Sequence, residues 1–188
     1  MRSHAWQIII GSIAALLVGI VALPQSSAYA NVKADRVTAT MHHLYTTSTE
    51  EASVAVQKYG FTFEGVAYYT FAGQHDHGIP LYRLYQPSSG DRLYTVSADE
   101  MNIAIQRYGY TLEGIASWVY ESDGQNGAVP LYRASNGRLH DHLFTISAAE
   151  RDAAVAQYGY QDEGTACFVL PAPSGDAVPM FRLSQWRA

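Results

Sequence analysis

One order of residues returns three times along this chain, and it constrains the fold more than any other feature. Leu44-Tyr45-Thr46-Thr47-Ser48 recurs as Leu93-Tyr94-Thr95-Val96-Ser97 and again as Leu143-Phe144-Thr145-Ile146-Ser147. Each copy runs on to a Tyr-Gly-aromatic step at Tyr59-Gly60-Phe61, Tyr108-Gly109-Tyr110 and Tyr158-Gly159-Tyr160. Each then passes through Glu-Gly at 64–65, 113–114 and 163–164, and ends on Pro80-Leu81-Tyr82-Arg83, Pro130-Leu131-Tyr132-Arg133 or Pro179-Met180-Phe181-Arg182. Repetition at a fixed period means one supersecondary unit that buries its apolar face only against its neighbours.

The unit is legible in physical terms. Ser48, Ser97 and Ser147 each stand three residues before a Glu (Glu51, Glu100, Glu150), the spacing of a capping box. A helix is expected after each, with apolar stripes Ala52/Ala55/Val56/Tyr59 and Met101/Ala104/Ile105/Tyr108. Gly60, Gly109 and Gly159 fall where a left-handed residue ends a helix. After Glu-Gly the alternating faces Ala67/Tyr69/Phe71, Ala116/Trp118/Tyr120 and Ala166/Phe168/Leu170 read as strands with their large aromatics inward. The Pro-apolar-aromatic-Arg and Leu-aromatic-Thr segments read as two further strands. Pro87-Ser88-Ser89-Gly90 and Ser135-Asn136-Gly137 form hairpin loops between them.

The phase of the repeat predicts its closure. The first Leu-Tyr-Thr strand lacks a preceding Pro-Leu-Tyr-Arg partner, and the last such strand, Pro179–Leu183, lacks a following one. Pairing these two orphans would remove both exposed edges. The expected fold is therefore α+β: one β-rich domain of three pseudo-equivalent repeats near 41–90, 91–139 and 140–188. Each would hold about three strands and one short helix, closed into a pseudo-threefold ring with the N- and C-terminal strands paired.

The run Pro-Leu-Tyr-Arg-Leu-Tyr-Gln-Pro-Ser-Ser-Gly-Asp-Arg-Leu-Tyr-Thr, followed by Ser-x-x-Glu, Tyr-Gly-Tyr and Glu-Gly-x-Ala, resembles a secreted tandem-repeat family known as a domain of unknown function. The resemblance spans residues 41–185. It implies a compact, aromatic-rich extracellular module, sometimes appended to extracellular hydrolases, and it brings no catalytic residues with it. The first copy departs from the pattern, with His42-His43 where Gly90-Asp91-Arg92 and His140-Asp141-His142 stand later, which speaks against an Asp-dependent site in that copy.

Export is expected from the chain itself. Arg2 and His4 precede an apolar run from Ile8 to Leu23, Pro24 breaks it, and Ala28-Tyr29-Ala30 fits a cleavage site. Residues 1–30 thus read as a signal peptide and 31–40 as a short linker, leaving 41–188 as a secreted domain with no membrane attachment. Seventeen acidic against twelve basic residues argue against a nucleic-acid partner. The single Cys167 allows no internal disulfide, so the core must hold the fold.

Two kinds of residue are candidates for function. Arg83, Arg133 and Arg182 recur, as do Glu64, Glu113 and Glu163, and repeated charges of opposite sign point first to internal pairing. The same arginines stand beside an aromatic and a later Asp, in Tyr82/Arg83/Asp91 and Tyr132/Arg133/Asp141 with His142 adjacent. Those groups would suit a polar ligand lying on an aromatic face. His75-Asp76-His77 and His140-Asp141-His142 have zinc-compatible spacing, but they occupy different places in the repeat and have no third ligand in view. No metal or cofactor is therefore expected. Motifs of nucleophile elbows, zinc hydrolases and phosphate loops are absent. The expectation is a non-catalytic binding module for an extracellular glycan such as cell-wall polysaccharide, with a protein-interaction factor or enzyme inhibitor as the alternative.

Overall fold

The computed structural model describes residues 40–187. The expected signal peptide, residues 1–30, and all but the last residue of the expected linker lie outside them. The elements are β1 (Thr40–Thr46), α1 (Thr49–Tyr59), β2 (Thr62–Thr70), β3 (Gly78–Tyr85), β4 (Arg92–Thr95), α2 (Ala98–Tyr108), β5 (Thr111–Tyr120), β6 (Val129–Asn136), β7 (Asp141–Thr145), α3 (Ala148–Tyr158), β8 (Gln161–Val169) and β9 (Val178–Arg187). None of the described helices is long and apolar enough to cross a membrane.

Each helix begins where its serine predicts. The Oγ atoms of Ser48, Ser97 and Ser147 accept the amide N–H of Glu51, Glu100 and Glu150 at 3.1, 3.1 and 3.2 Å. Each helix ends on a left-handed glycine, with φ of 73° at Gly60, 72° at Gly109 and 76° at Gly159, a region an L side chain enters only with strain. The predicted apolar stripes are only half buried. Ala52, Ala55, Ala104 and Ala154 face the core, whereas Val56, Tyr59, Ile105 and Tyr108 face solvent.

All strand pairs are antiparallel. One sheet has the order β1-β9-β2 and the other β4-β3-β5-β8-β6-β7. The terminal strands do pair, with Leu44 opposite Leu183 and Tyr45 opposite Arg182. The expected closed ring of strands is not formed. Within the six-stranded sheet, β5 and β8 share the single pair Tyr120–Phe168, and β2, laddered to β9, meets the six-stranded sheet through the bridges Tyr69–Leu170 and Phe71–Trp118. At the opposite edges, β1, β4 and β7 form no ladder with one another, and side chains join them instead.

Those side chains are the centre of the core. The rings of Tyr45, Tyr94 and Phe144 meet edge to face, with centroids 5.4, 5.6 and 5.4 Å apart. The Tyr94 hydroxyl accepts the Tyr45 N–H and donates to the Tyr45 carbonyl, both at 2.8 Å, tying β4 to β1. The Tyr45 hydroxyl does the same for Phe144, at 2.9 and 2.8 Å, tying β1 to β7. Phe144 has no hydroxyl with which to continue the series. Burial pushes the Tyr94 phenol up to about 12, so these ties stay protonated.

The expected inward face of β2, β5 and β8 holds at Phe71, Tyr120 and Leu170, which are buried, and is corrected at Tyr69, Trp118 and Phe168. Tyr68, Ser117, Cys167, Val119 and Val169 point to the core, while Tyr69, Trp118 and Phe168 are half-buried around a second cluster of Phe71, Tyr120 and Leu170. The pairing registers slip at Ala67, Ala116 and Ala166. A bulge there inserts one residue, and a second slip lies upstream in each strand, between Phe63 and Gly65, Leu112 and Gly114, and Asp162 and Thr165, so no single alternation runs the length of the strand.

Candidate binding grooves at the strand seams

The repeated arginines each grip two carboxylates. Arg83 makes two parallel bonds to Glu51, both 2.9 Å, and an ion pair with Glu113 at 2.8 Å. Arg133 does the same to Glu100, at 2.9 and 2.8 Å, with Glu163 at 2.6 Å. Arg182 holds Glu150 at 3.1 and 2.9 Å and Glu64 at 2.5 Å. Glu64, Glu113 and Glu163 are thus partners, as the recurrence of charges suggested. The second partner of each is the helix-start glutamate, and this completes only half of the expected capping box. The amides of Ser48, Ser97 and Ser147 are met by the hydroxyls of Thr46, Thr95 and Thr145, all at 3.0 Å, which in turn bond the same glutamates. Burial alone would push Glu51, Glu100 and Glu150 up, but their arginines hold all three below the usual carboxylate range.

The predicted aspartates lie elsewhere. Asp91 is 3% exposed and Asp141 2%, so neither faces an incoming ligand. The Asp141 carboxylate accepts the backbone N–H of His43 at 3.0 Å, its Nδ1–H at 2.8 Å and the Tyr160 hydroxyl at 2.6 Å. Asp91 accepts His142 Nδ1–H at 2.7 Å and the Tyr110 hydroxyl at 2.5 Å. A carboxylate, an imidazole and a phenol therefore fasten β7 to β1 and β4 to β7. Burial alone would lower His43 and His142; the adjacent aspartates outweigh it and raise both. Tyr82 is half-buried against Leu84, Leu93 and Ala104, and Tyr132 lies under the Arg151 guanidinium at 4.5 Å. The Tyr82/Arg83/Asp91 and Tyr132/Arg133/Asp141 groups thus do not form exposed platforms, because each Arg turns to glutamates and each Asp to a His and a Tyr.

The open space lies one step outward, along the helices. A groove of about 570 Å³ brings Arg133 and His142 together with Glu100, Glu163, Tyr108, Tyr110 and Ile103. A second of about 290 Å³ is lined by the matching positions of the first copy, including Leu44, Glu51, Val54, Ala55, Tyr59 and Phe61. Arg92 stands there where His142 stands in the larger groove, and His42, Tyr85 and Arg187 are further wall residues. Tyr59 and Tyr108 form the rims and are 53% and 62% exposed. Their carbonyls accept the side-chain amides of Gln185 and Gln86, as the Tyr158 carbonyl accepts Asn136 at 2.9 Å. That repeated amide cap went unread in the sequence, although Gln86, Asn136 and Gln185 stand three residues after Arg83, Arg133 and Arg182.

Other candidates are inert in place. His75 stacks on Phe71 at 3.8 Å, and His77 sits in a turn at φ 61°. Among the described residues no three His, Cys, Asp or Glu side chains gather as metal ligands. Burial raises the Cys167 thiol to about 12, which leaves almost no thiolate at neutral pH.

A family model described as a domain of unknown function, DUF5648, matches residues 36–170, and the chain belongs to that family. The chain matches no curated protein and no solved structure.

Proposed function

We propose that this DUF5648 member is a secreted, non-catalytic module that binds glycan, such as cell-wall polysaccharide, in the grooves beside α1 and α2. In this reading three copies of one unit surround a pseudo-threefold axis, and binding is distributed over more than one copy. The observation that carries it is the matched pair of exposed tyrosines, Tyr59 and Tyr108, each at the rim of a groove floored by charged side chains. A solvent-facing phenol offers a flat apolar face to a sugar ring and a polar edge to its hydroxyls. Two weak sites on one chain gain affinity for a polymer through effective concentration.

Affinity electrophoresis through gels containing soluble polysaccharides tests the reading. The intact protein should be retarded by at least one polysaccharide, Tyr108→Ala should lose most of that retardation, and Tyr59→Ala/Tyr108→Ala should lose all of it with unchanged melting. Wild-type mobility in every gel would refute the proposal. A second reading, as a protein-interaction factor, draws support from the exposed apolar side chains Phe63 and Val66 on β2 and Leu112 and Ile115 on β5.

A further inference from the structure

The three inner strands are fastened in one cyclic sense, and one seam lacks its carboxylate. His43 of β1 meets Asp141 of β7, and His142 of β7 meets Asp91, the residue just before β4. The next member of the series is Arg92 of β4, whose counterpart on β1 is His42 rather than an aspartate. The phenol is lost with it: Tyr160 and Tyr110 bond the two aspartates, but the matching residue in the first copy is Phe61. Gly90 accommodates the exchange, since a Cβ there would lie 2.4 Å from the His42 ring.

Arg92 therefore retains a cation with no buried acid to meet it. Its nearest carboxylate, Glu113 at 3.2 and 3.5 Å, is already held by Arg83 at 2.8 Å. The Arg92 guanidinium lies over the Tyr85 ring at 4.7 Å, on the wall of the smaller groove. Arg187 lines the same groove and, among the described residues, donates to the neutral Gln185 at 2.8 Å. Glu51, the one acid in the lining, is doubly bonded to Arg83. Burial lowers His42, so the positive charge belongs to the two arginines. The larger groove lacks this surplus, since Glu100 and Glu163 both pair with Arg133 there.

We propose that the groove at the β1–β4 seam binds the carboxylate of a uronic-acid residue in an acidic polysaccharide, which takes toward Arg92 the role that Asp141 and Asp91 take toward His43 and His142. The inference rests on the glycan reading and narrows it to a substrate class. Arg92 supplies a planar two-donor fork suited to a carboxylate, Arg187 adds charge, and Tyr59 and Tyr85 flank the sugar.

Calorimetric titration of the purified protein with a tetragalacturonate, its neutral methyl ester and a hexaglutamate peptide tests this. The acid sugar should bind and the ester and peptide should not. Arg92→Gln should weaken the acid sugar at least tenfold. The double variant His42→Asp/Phe61→Tyr supplies the seam with its own acid and phenol. It should abolish uronate binding while melting at or above the wild-type temperature, an outcome that damage to the fold would not give. Equal binding of acid and ester would overturn the carboxylate assignment while leaving the glycan reading intact. Binding of the peptide as tightly as the sugar, or unchanged binding in Arg92→Gln, would overturn it as well. Failure of every polysaccharide in the electrophoresis above would remove the glycan reading itself.

Discussion

At the scale of the residue, hydroxyl groups do work that apolar packing does not. The core would be as well filled by three phenylalanines as by Tyr45, Tyr94 and Phe144, yet two of the three carry a hydroxyl that both accepts and donates across a seam. The strands so joined have no ladder between them, so each hydroxyl satisfies a backbone N–H and C=O that burial would otherwise leave unpaired. Tyr45→Phe removes the tie between β1 and β7 at constant packing. It should cost about 1–3 kcal/mol, the penalty for stranding buried backbone groups, with groove binding unchanged. Urea denaturation followed by near-ultraviolet dichroism measures it, and a loss well under ~0.5 kcal/mol would show that those groups find other partners.

At the scale of the element, the helix ends show what a sequence can and cannot disclose. Serine and glycine act within a few residues of chain, so both termini of α1, α2 and α3 were readable from spacing alone. The glutamates at 51, 100 and 150 were not, because their carboxylates leave the helix for an arginine 32 or 33 residues away. Likewise the faces of β2, β5 and β8 are legible only in part, at Phe71, Tyr120 and Leu170, since two slips in each strand interrupt the alternation and leave no signature in residue type. The pairing of Pro179–Leu183 with the first strand was legible because the missing partners were complementary. The grooves were not, because their walls come from segments far apart in the chain that only the fold brings together. Arg133→Ala tests the element-level clamp. It strands Glu100 and Glu163, both partly solvated, so the loss falls short of a fully buried pair and should be roughly 2 kcal/mol. Thermal melts of Arg133→Ala and Arg133→Lys check it. Lysine should recover only part, because it cannot form the two parallel bonds.

At the scale of the whole molecule, stability should depend on pH through the pairs that close the seams. His43 and His142 are raised above the ordinary imidazole value by Asp141 and Asp91. Their contribution is fully present below the unfolded value of about 6.5 and is lost as pH rises through the raised folded values. His42 is lowered by burial and acts in the opposite sense, costing stability as pH falls below about 6.5, where the unfolded chain takes up a proton that the folded chain refuses. Asp141, Glu51, Glu100 and Glu150 are held low by their cationic partners. Their contribution is present above about 4.5 and disappears as pH falls through the depressed folded values. The melting temperature should therefore peak near pH 6 and decline on the alkaline side, where each additional proton retained by the folded state is worth about 1.4 kcal/mol per pH unit. Scanning calorimetry from pH 5 to 9 should show that decline in the wild type. The decline should be shallower in His142→Gln, which titrates nothing and keeps a neutral donor within reach of Asp91. A melting temperature that is flat between pH 6.5 and 9, or still rising, would mean that the imidazoles at the seams are neutral and that the seams are closed by hydrogen bonds alone.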